Sequence, residues 1–370
     1  MATIFSQDAL NQSQSQGDRA IATPVFTAEK PSLIGKTLDE LRVLMSELGE
    51  PKFRAEQLHH WLYVKNVRDW EAMGNLKRDF RDKLKANFRI GPLEIASKQE
   101  SKDGTVKYLF RLDDGQLIES VLMYFQDRDT YAVCVSTQVG CAVNCSFCAT
   151  AKLGFKRQLS IAEIVDQYVY VQGDSGKEVR NLVFMGQGEP LLNYDNLLPA
   201  IHILNQSAEV GMRHITISTS GIVPQIDRLA DEKLQLTLAV SLHAPNDTVR
   251  ESFMPINRKW PVAELIVSLK RYVAKTNRRL TIEYILLEGV NDNPQEAHQL
   301  GQLLKGLKCN VNLIPYNPIS HCSEFKRPSR NRVFAFNEIV TSYGKKVTVR
   351  VERGADIDAA CGQLANKMQD

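Results

Sequence analysis

What this sequence has little of narrows its chemistry first. Cysteine is sparse and odd in number, seven among 370 residues, which excludes a disulfide-stapled secreted scaffold. No apolar run approaches the ~20 residues of a membrane-spanning helix, so no membrane partner is expected. The opening stretch, MATIFSQDALNQSQSQGDRAIATP, lacks the charged start and apolar stretch of a secretory signal and the arginine of a transit peptide. Its Ser, Gln and Ala content reads as a disordered extension over residues 1–32, and the cytoplasm is the expected compartment. Charge of one sign is also lacking: the formal net is +3, with ordinary shares of hydrophobic (43%) and charged (24%) residues. The length suits one large α/β domain with a smaller appendage.

The small net charge hides an uneven distribution. Between Lys52 and Arg89 stand ten Lys or Arg against five Asp or Glu, a local excess of five that leaves the rest of the chain at −2. Trp61, Tyr63 and Trp70 are interspersed. Cations with aromatics between them can grip a phosphate backbone and stack bases. A small helical domain with charges in solvent and aromatics in its core has the same composition, and from composition alone it is the favoured reading.

Periodicity divides the chain. TLDELRVLMSEL reads as a helix, with Thr37 as N-cap and Glu40 completing a capping box, and FRAEQLHHWLY and DFRDKLKANF as further amphipathic helices. Near residue 93 the apolar period becomes two, with Asp103-Gly104 and Asp114-Gly115 as hairpin turns. From Val133 six apolar strands (VCVST, NLVFMG, HITIST, LTLAVSLH, TIEYILL, VNLIPYN) alternate with helices, and a last helix over 330–343 precedes a strand-like KKVTVRVE. Six such units predict a parallel α/β architecture, a partial and open TIM-like (β/α)6 barrel. The expected organisation is an extension (1–32), a helical accessory domain (33–92), a β-hairpin connector (93–130), the barrel (131–345) and a C-terminal segment (346–370).

In such folds ligands gather at the carboxyl ends of the strands, and the motifs fall there. The first strand runs into CVSTQVGCAVNCSFCAT, where Cys141, Cys145 and Cys148 are spaced C-x3-C-x2-C. Zinc sites reach four ligands by pairing knuckles or adding His, and this loop has three thiols and no His. A cubane iron–sulfur cluster ordinarily takes four Cys; held by three, it keeps one iron open. The second strand ends in MGQGEPLLN, where Gly186 and Gly188 allow close approach of a ligand and Glu189 can receive an ammonium group. Ser218 and Ser220, Ser241 and His243, and Asn317 stand at later strand ends. Each alone has a bland explanation; together they form a ligand cradle. The sequence by itself assigns no role to Cys134 or Cys361.

These motifs, in this order, resemble the radical S-adenosylmethionine (SAM) superfamily and, within it, the RlmN/Cfr family of RNA methyltransferases. CVSTQVGCAVNCSFCATAKLGFKRQLS, MGQGEPLLN, ISTSGIVP, SLHAPND, NLIPYNP and RGADIDAACGQL carry the similarity, which extends from about Leu33 to the end. Gly186-Gln187-Gly188-Glu189 replaces the usual glycine-glycine-glutamate. The resemblance implies a [4Fe-4S] cluster on Cys141, Cys145 and Cys148 whose fourth iron binds SAM, and two SAM molecules per turnover. It implies that Gly188, Glu189, Ser218, Ser241, Leu242, His243 and Asn317 contact SAM. By the same resemblance, one SAM is expected to methylate Cys361, and a radical made from the second to activate that methyl, which adds to the adenine. The resemblance likewise implies Cys134 as the thiol that resolves the covalent protein–RNA adduct by pairing with Cys361, and Glu119 as the proton acceptor. Implied substrates are an adenosine of 23S rRNA and an adenosine of tRNAs, modified at C2. The alternative is a Cfr-type enzyme acting at C8 of the same rRNA adenosine. A flavodoxin or ferredoxin is the implied reductant, and a monomer the implied state. The basic N-terminal domain fits an RNA-binding accessory domain, with Lys326, Arg327, Arg330 and Arg332 adding phosphate contacts. Cys309 and Cys322 match nothing functional and read as packing residues.

Overall fold

The computed structural model describes residues 30–319 and 324–366; the extension expected at the N-terminus lies, up to residue 29, outside the described residues, as does Cys322. The chain enters through α1 (Leu38–Glu47), where the Glu40 N–H donates to Thr37 Oγ1 at 3.2 Å and the Thr37 N–H to Glu40 Oε2 at 2.7 Å. This capping box satisfies two donors that a helix start otherwise leaves open. α2 (Phe53–His59) runs into a wider turn, His60–Val64, and α3 (Arg78–Asn87) closes the helical part. Then come β1 (Glu94–Glu100), β2 (Val106–Arg111), β3 (Leu117–Phe125) and β4 (Thr130–Cys134), followed by β5 (Gln138–Val139), α4 (Ala149–Lys152), β6 (Arg157–Gln158) and α5 (Ile161–Ser175). The alternation continues through β7 (Val179–Phe184), α6 (Tyr194–Gln206), β8 (Ile215–Thr219), α7 (Val223–Asp231), β9 (Thr237–Ser241), α8 (Asp247–Phe253), α9 (Val262–Thr276), β10 (Leu280–Leu286), α10 (Pro294–Leu303) and β11 (Cys309–Pro315). α11 (Arg330–Ser342) and β12 (Lys346–Val349) complete it.

Ten strands form one sheet, in the order β1-β2-β3-β4-β7-β8-β9-β10-β11-β12, while β5 and β6 make a separate two-stranded ribbon. Every neighbouring pair from β4 to β12 is parallel, and β1 to β4 are antiparallel. Two features differ from the expectation. The hairpin strands are continuous with the barrel sheet through β3 and β4. KKVTVRVE supplies a seventh parallel strand, with Val347 opposite Val311; alternation identifies a strand but not its distant partner. α8 has no counterpart in the sequence reading, because seven residues are too few for a helical period to stand out. Its start is nonetheless marked: the Val249 N–H donates to the Asn246 side chain at 2.9 Å.

One apolar core runs from Leu33 through Leu41, Leu62 and Phe80 into the barrel and on to Val340. The aromatics of the basic segment belong to it: Tyr63 is buried, its hydroxyl donating to Lys36 O at 2.6 Å and accepting from the Gly35 N–H, and Trp61 Nε1 donates to Asn75 Oδ1. Several of its cations are committed within the protein. Arg68 pairs with Asp166 of α5, Arg89 with Asp113 and Arg81 with Glu71, whereas Lys52, Lys65 and Lys77 are exposed. Asp166 is wholly buried and also accepts the Leu93 N–H at 3.0 Å. Arg68→Met therefore strands a buried carboxylate and is expected to cost about 3 kcal/mol of stability in urea titrations, with Arg68→Lys losing less.

Candidate active site

The first parallel strand is fixed before it delivers the cysteine loop. Past Cys134, the Val135 N–H donates to Val183 O at 3.0 Å, and buried Gln167 of α5 clamps Ser136, accepting its N–H at 2.7 Å and donating to its carbonyl at 3.0 Å. The loop that leaves β5 and returns through α4 to β6 carries Cys141, Cys145 and Cys148. The Cys148 N–H closes onto Cys145 O, and the Ser146 N–H donates to Phe253 O at the end of α8, both near 3 Å. Phe147 stands edge-on to Phe253 and His243, and Cys145 and Cys148 pack against this apolar group with Met254 and Tyr316.

Burial pushes the Cys141 thiol up to about 12 and the Cys145 thiol well above its usual value, where the charges of Cys148 and Cys141 add to the effect; Cys148 is raised by burial too. Among the described residues, no three His, Cys, Asp or Glu side chains close around a single ion as the ligands of a zinc site do. A multi-iron cluster takes one thiolate on each of several irons and accommodates wider spacing. An all-sulfur donor set, half-buried beside an apolar cluster and with thiol pKa values raised by burial, fits such a cluster.

Beside the loop, Glu189 is 3% exposed. Its Oε2 accepts the Ser220 N–H at 2.6 Å and the Ser220 hydroxyl at 2.7 Å, its Oε1 accepts the Leu191 N–H, and its own N–H donates to Gln138 Oε1. Burial raises its pKa while the Ser220 bonds favour the carboxylate. Gly188 sits at φ +97°, and a Cβ there would lie 2.5 Å from Gln138; both the left-handed backbone and the close approach demand glycine.

His243 stands at φ +60° and accepts the Ile285 N–H on Nδ1 at 3.0 Å. Burial, and then the charge of Arg250, depress its pKa from 6.5 to about 3. The folded protein thus refuses a proton that the unfolded chain accepts, so this stability is complete above pH 6.5 and is lost as pH falls toward 3. The expected slope is about 1.4 kcal/mol per pH unit across that window. His243→Asn, whose amide oxygen can replace Nδ1, should remove it in urea titrations of the iron-free protein at pH 6, 5 and 4.

The C-terminal segment folds back over the site. The Ala149 N–H donates to Gly362 O at 2.7 Å and Thr150 Oγ1 to Leu364 O at 2.9 Å, Asn317 Nδ2 reaches Cys361 O at 3.4 Å, and Gln363 Nε2 donates to Pro318 O. A cavity of about 880 Å³ runs through the barrel beneath it, and Cys134, Cys148, Asn317 and Cys361 share its wall. Cys134 and Cys361 are both free thiols. Burial first, and then the nearby Cys361, push Cys134 up to about 12, against the pull of Arg350. Glu119 is not on the cavity wall. It lies under the tail, paired with buried Lys107 at 3.3 Å and accepting the Asn366 N–H at 3.0 Å, and burial raises its pKa. Glu189, Leu242 and His243 are likewise off that wall, and Ser218 and Ser241 are half-buried at the ends of β8 and β9.

Comparison with known proteins places this arrangement. The family model described as the radical SAM superfamily matches residues 135–300, and that described as the ribosomal RNA large subunit methyltransferase N-terminal domain matches residues 32–90. A protein of Symbiobacterium thermophilum, named "Probable dual-specificity RNA methyltransferase RlmN", is 49% identical over 344 residues, covering 91% of this chain and 92% of its own. The chain belongs to the RlmN family. A relative of the same name from Streptococcus thermophilus is 48% identical, covering 90% of this chain and 88% of its own. The crystal structure of a radical SAM methyltransferase from Sphaerobacter thermophilus matches with a TM-score of 0.88 at 46% identity, covering 91% of this chain and all of that one. As a radical SAM protein, this RlmN family member works with a [4Fe-4S] cluster and SAM.

Several residues of the site have no counterpart in the sequence reading. Lys107 neutralises Glu119, and Gln187 donates to Asn366 Oδ1 at 2.5 Å. The Cys361 thiol, then Glu283 and Cys134, hold the Arg350 guanidinium above its usual pKa. Lys107 and Arg350 occupy strand-like stretches where alternation cannot distinguish a solvent-facing cation from one turned inward. Of the expected phosphate-binding residues, Arg327 pairs with Glu352 and Arg332 with Asp292, while Lys326 and Arg330 are exposed.

Proposed function

We propose that the protein methylates C2 of an adenosine in 23S rRNA and in tRNAs, with Cys361 as methyl carrier and Cys134 as resolving thiol. The observation that supports this most directly is that the two free thiols, more than two hundred residues apart in the chain, share one cavity wall with Cys148. Adenine C2 is an electron-poor carbon that does not attack a methyl cation equivalent, so the chemistry calls for a radical route. When bound at Cys141, Cys145 and Cys148, the cluster supplies the electron that cleaves SAM. The chain's own residues do the rest. Glu189 receives the ammonium of SAM, and Gly188, Ser218, the Ser241-Leu242-His243 run and Asn317 complete the cradle. Cys361 presents its methyl to the base from the tail. Cys134 then attacks the Cys361 sulfur: the S–S bond forms as the bond from that sulfur to the methylene carbon breaks. The carbon leaves with the base and takes up a proton to become the product's methyl group. This exchange requires both sulfurs at one site.

Glu119 takes the proton, for which the Asn366 N–H must first leave its Oε2; the tail therefore shifts during the reaction. Burial raises the Glu119 pKa, which makes its carboxylate a stronger base. The target base must leave its stack to reach a cavity under a covering segment. The deciding experiment is mass spectrometry of nucleosides from rRNA and tRNA treated with reconstituted protein, SAM and a reductant. 2-Methyladenosine is the expected product; 8-methyladenosine alone overturns the assignment.

A further inference from the structure

Arg250 of α8 is wholly buried, and its partners carry no charge. Its Nε donates to Leu242 O at 3.0 Å, its Nη1 to Asn257 Oδ1 at 3.1 Å, and its Nη2 to Ser220 O at 2.5 Å and Ser241 O at 3.3 Å. No carboxylate among the described residues forms an ion pair with it. Asp247, whose field reaches it, spends Oδ1 on Asn257 Nδ2 at 3.0 Å and the Val262 N–H at 2.7 Å. A buried cation with only neutral partners is costly, and burial lowers the Arg250 pKa to about 10. Hydrogen bonding to the strand ends alone does not call for a charge.

The cysteine loop is anchored at the end of the same helix. The carbonyl of Phe253, one turn beyond Arg250, accepts the Ser146 N–H at 3.0 Å, and Cys145 and Cys148 pack against the apolar cluster that holds Phe253 and Met254. A four-iron core with two positive charges, held by three thiolates, makes the loop an anion, and one added electron makes it more negative still. With its hydrogen bonds spent on the protein, Arg250 offers that anion a field rather than a ligand.

We propose that Arg250 is the fixed counter-charge of the iron–sulfur site, a positioning residue whose buried guanidinium favours the reduced state and so eases electron entry. This rests on the cluster reading of the Cys141–Cys148 loop. The test is an EPR-monitored redox titration of the full-length, anaerobically reconstituted protein without SAM or RNA. Arg250→Gln keeps donors and loses the charge: at the wild-type midpoint its ratio of reduced to oxidised cluster is expected to fall about tenfold, which for one electron is about 59 mV. Arg250→Lys keeps the charge and should hold the wild-type midpoint. An unmoved Gln variant, or Gln and Lys variants shifted alike, overturns the proposal, since the second pattern belongs to lost geometry. If Gln binds no iron, Lys decides: iron content and midpoint at wild-type values support the counter-charge, and loss of either overturns it. Wild-type protein without a reduced-cluster signal defeats the cluster reading as well, whereas an intact signal with an unmoved Gln variant defeats only the role of Arg250.

Discussion

Cys361→Ala is expected to abolish RNA methylation, and Cys134→Ala to halt the reaction one step later with RNA covalently attached to the protein. The first variant has no sulfur to carry a methyl. The second can carry and transfer it but has no thiol to break the bond between Cys361 and the base. Both side chains are small and border a cavity, so their truncation should leave the fold intact. Denaturing gels distinguish the two outcomes, since only Cys134→Ala should yield a retarded protein band that ribonuclease collapses. Methylation at the wild-type rate by Cys361→Ala, or free product at the wild-type rate from Cys134→Ala, means the two-thiol scheme is wrong. Cys134 is the more demanding partner: burial holds its pKa at about 12 even against the pull of Arg350, so it stays a thiol until tail movement changes its surroundings.

Cys145→Ala is expected to remove the iron and, with it, all cleavage of SAM. Cys141, Cys145 and Cys148 are the only cysteines of the loop and all three are assigned to the cluster, so no other thiol of the loop can replace Cys145. The melting curve of this variant should match that of iron-free wild-type protein, because the loop backbone is held by Phe253 O and Gly362 O rather than by the sulfur. A Cys145→Ala protein that retains its full iron content and still cleaves SAM rules out the three-cysteine assignment.

Much of the fold was legible because its signals are local. The Thr37–Glu40 capping box, the turns at Gly104 and Gly115 and the βα alternation each rest on a few adjacent residues. The cysteine spacing was legible for the same reason: three ligands from one loop need no distant partner. Lys107 was not, because its importance lies in Glu119, a residue of the neighbouring strand facing it under a tail from the far end of the chain. Nor was Arg250, which in NDTVRESF looks like any solvated helix arginine until α8 is seen turned inward against the ends of β8 and β9. Tyr63 shows the reverse case. Its place in a basic, aromatic segment left base stacking open beside the favoured core reading, and packing makes it a core residue with a doubly bonded hydroxyl.

The sequence by itself determined the βα alternation, the three-thiol loop and the glycine-bordered Glu189 at a strand tip, because each follows from periodicity, spacing or backbone freedom within a short stretch. Only the tertiary structure decided that β12 joins the barrel, that Cys134 and Cys361 share a cavity, that Asn366 covers Glu119, and that Arg250 is buried with no carboxylate paired to it among the described residues. These depend on which distant segments exclude water together, and desolvation is a property of the assembled core that no window of sequence contains.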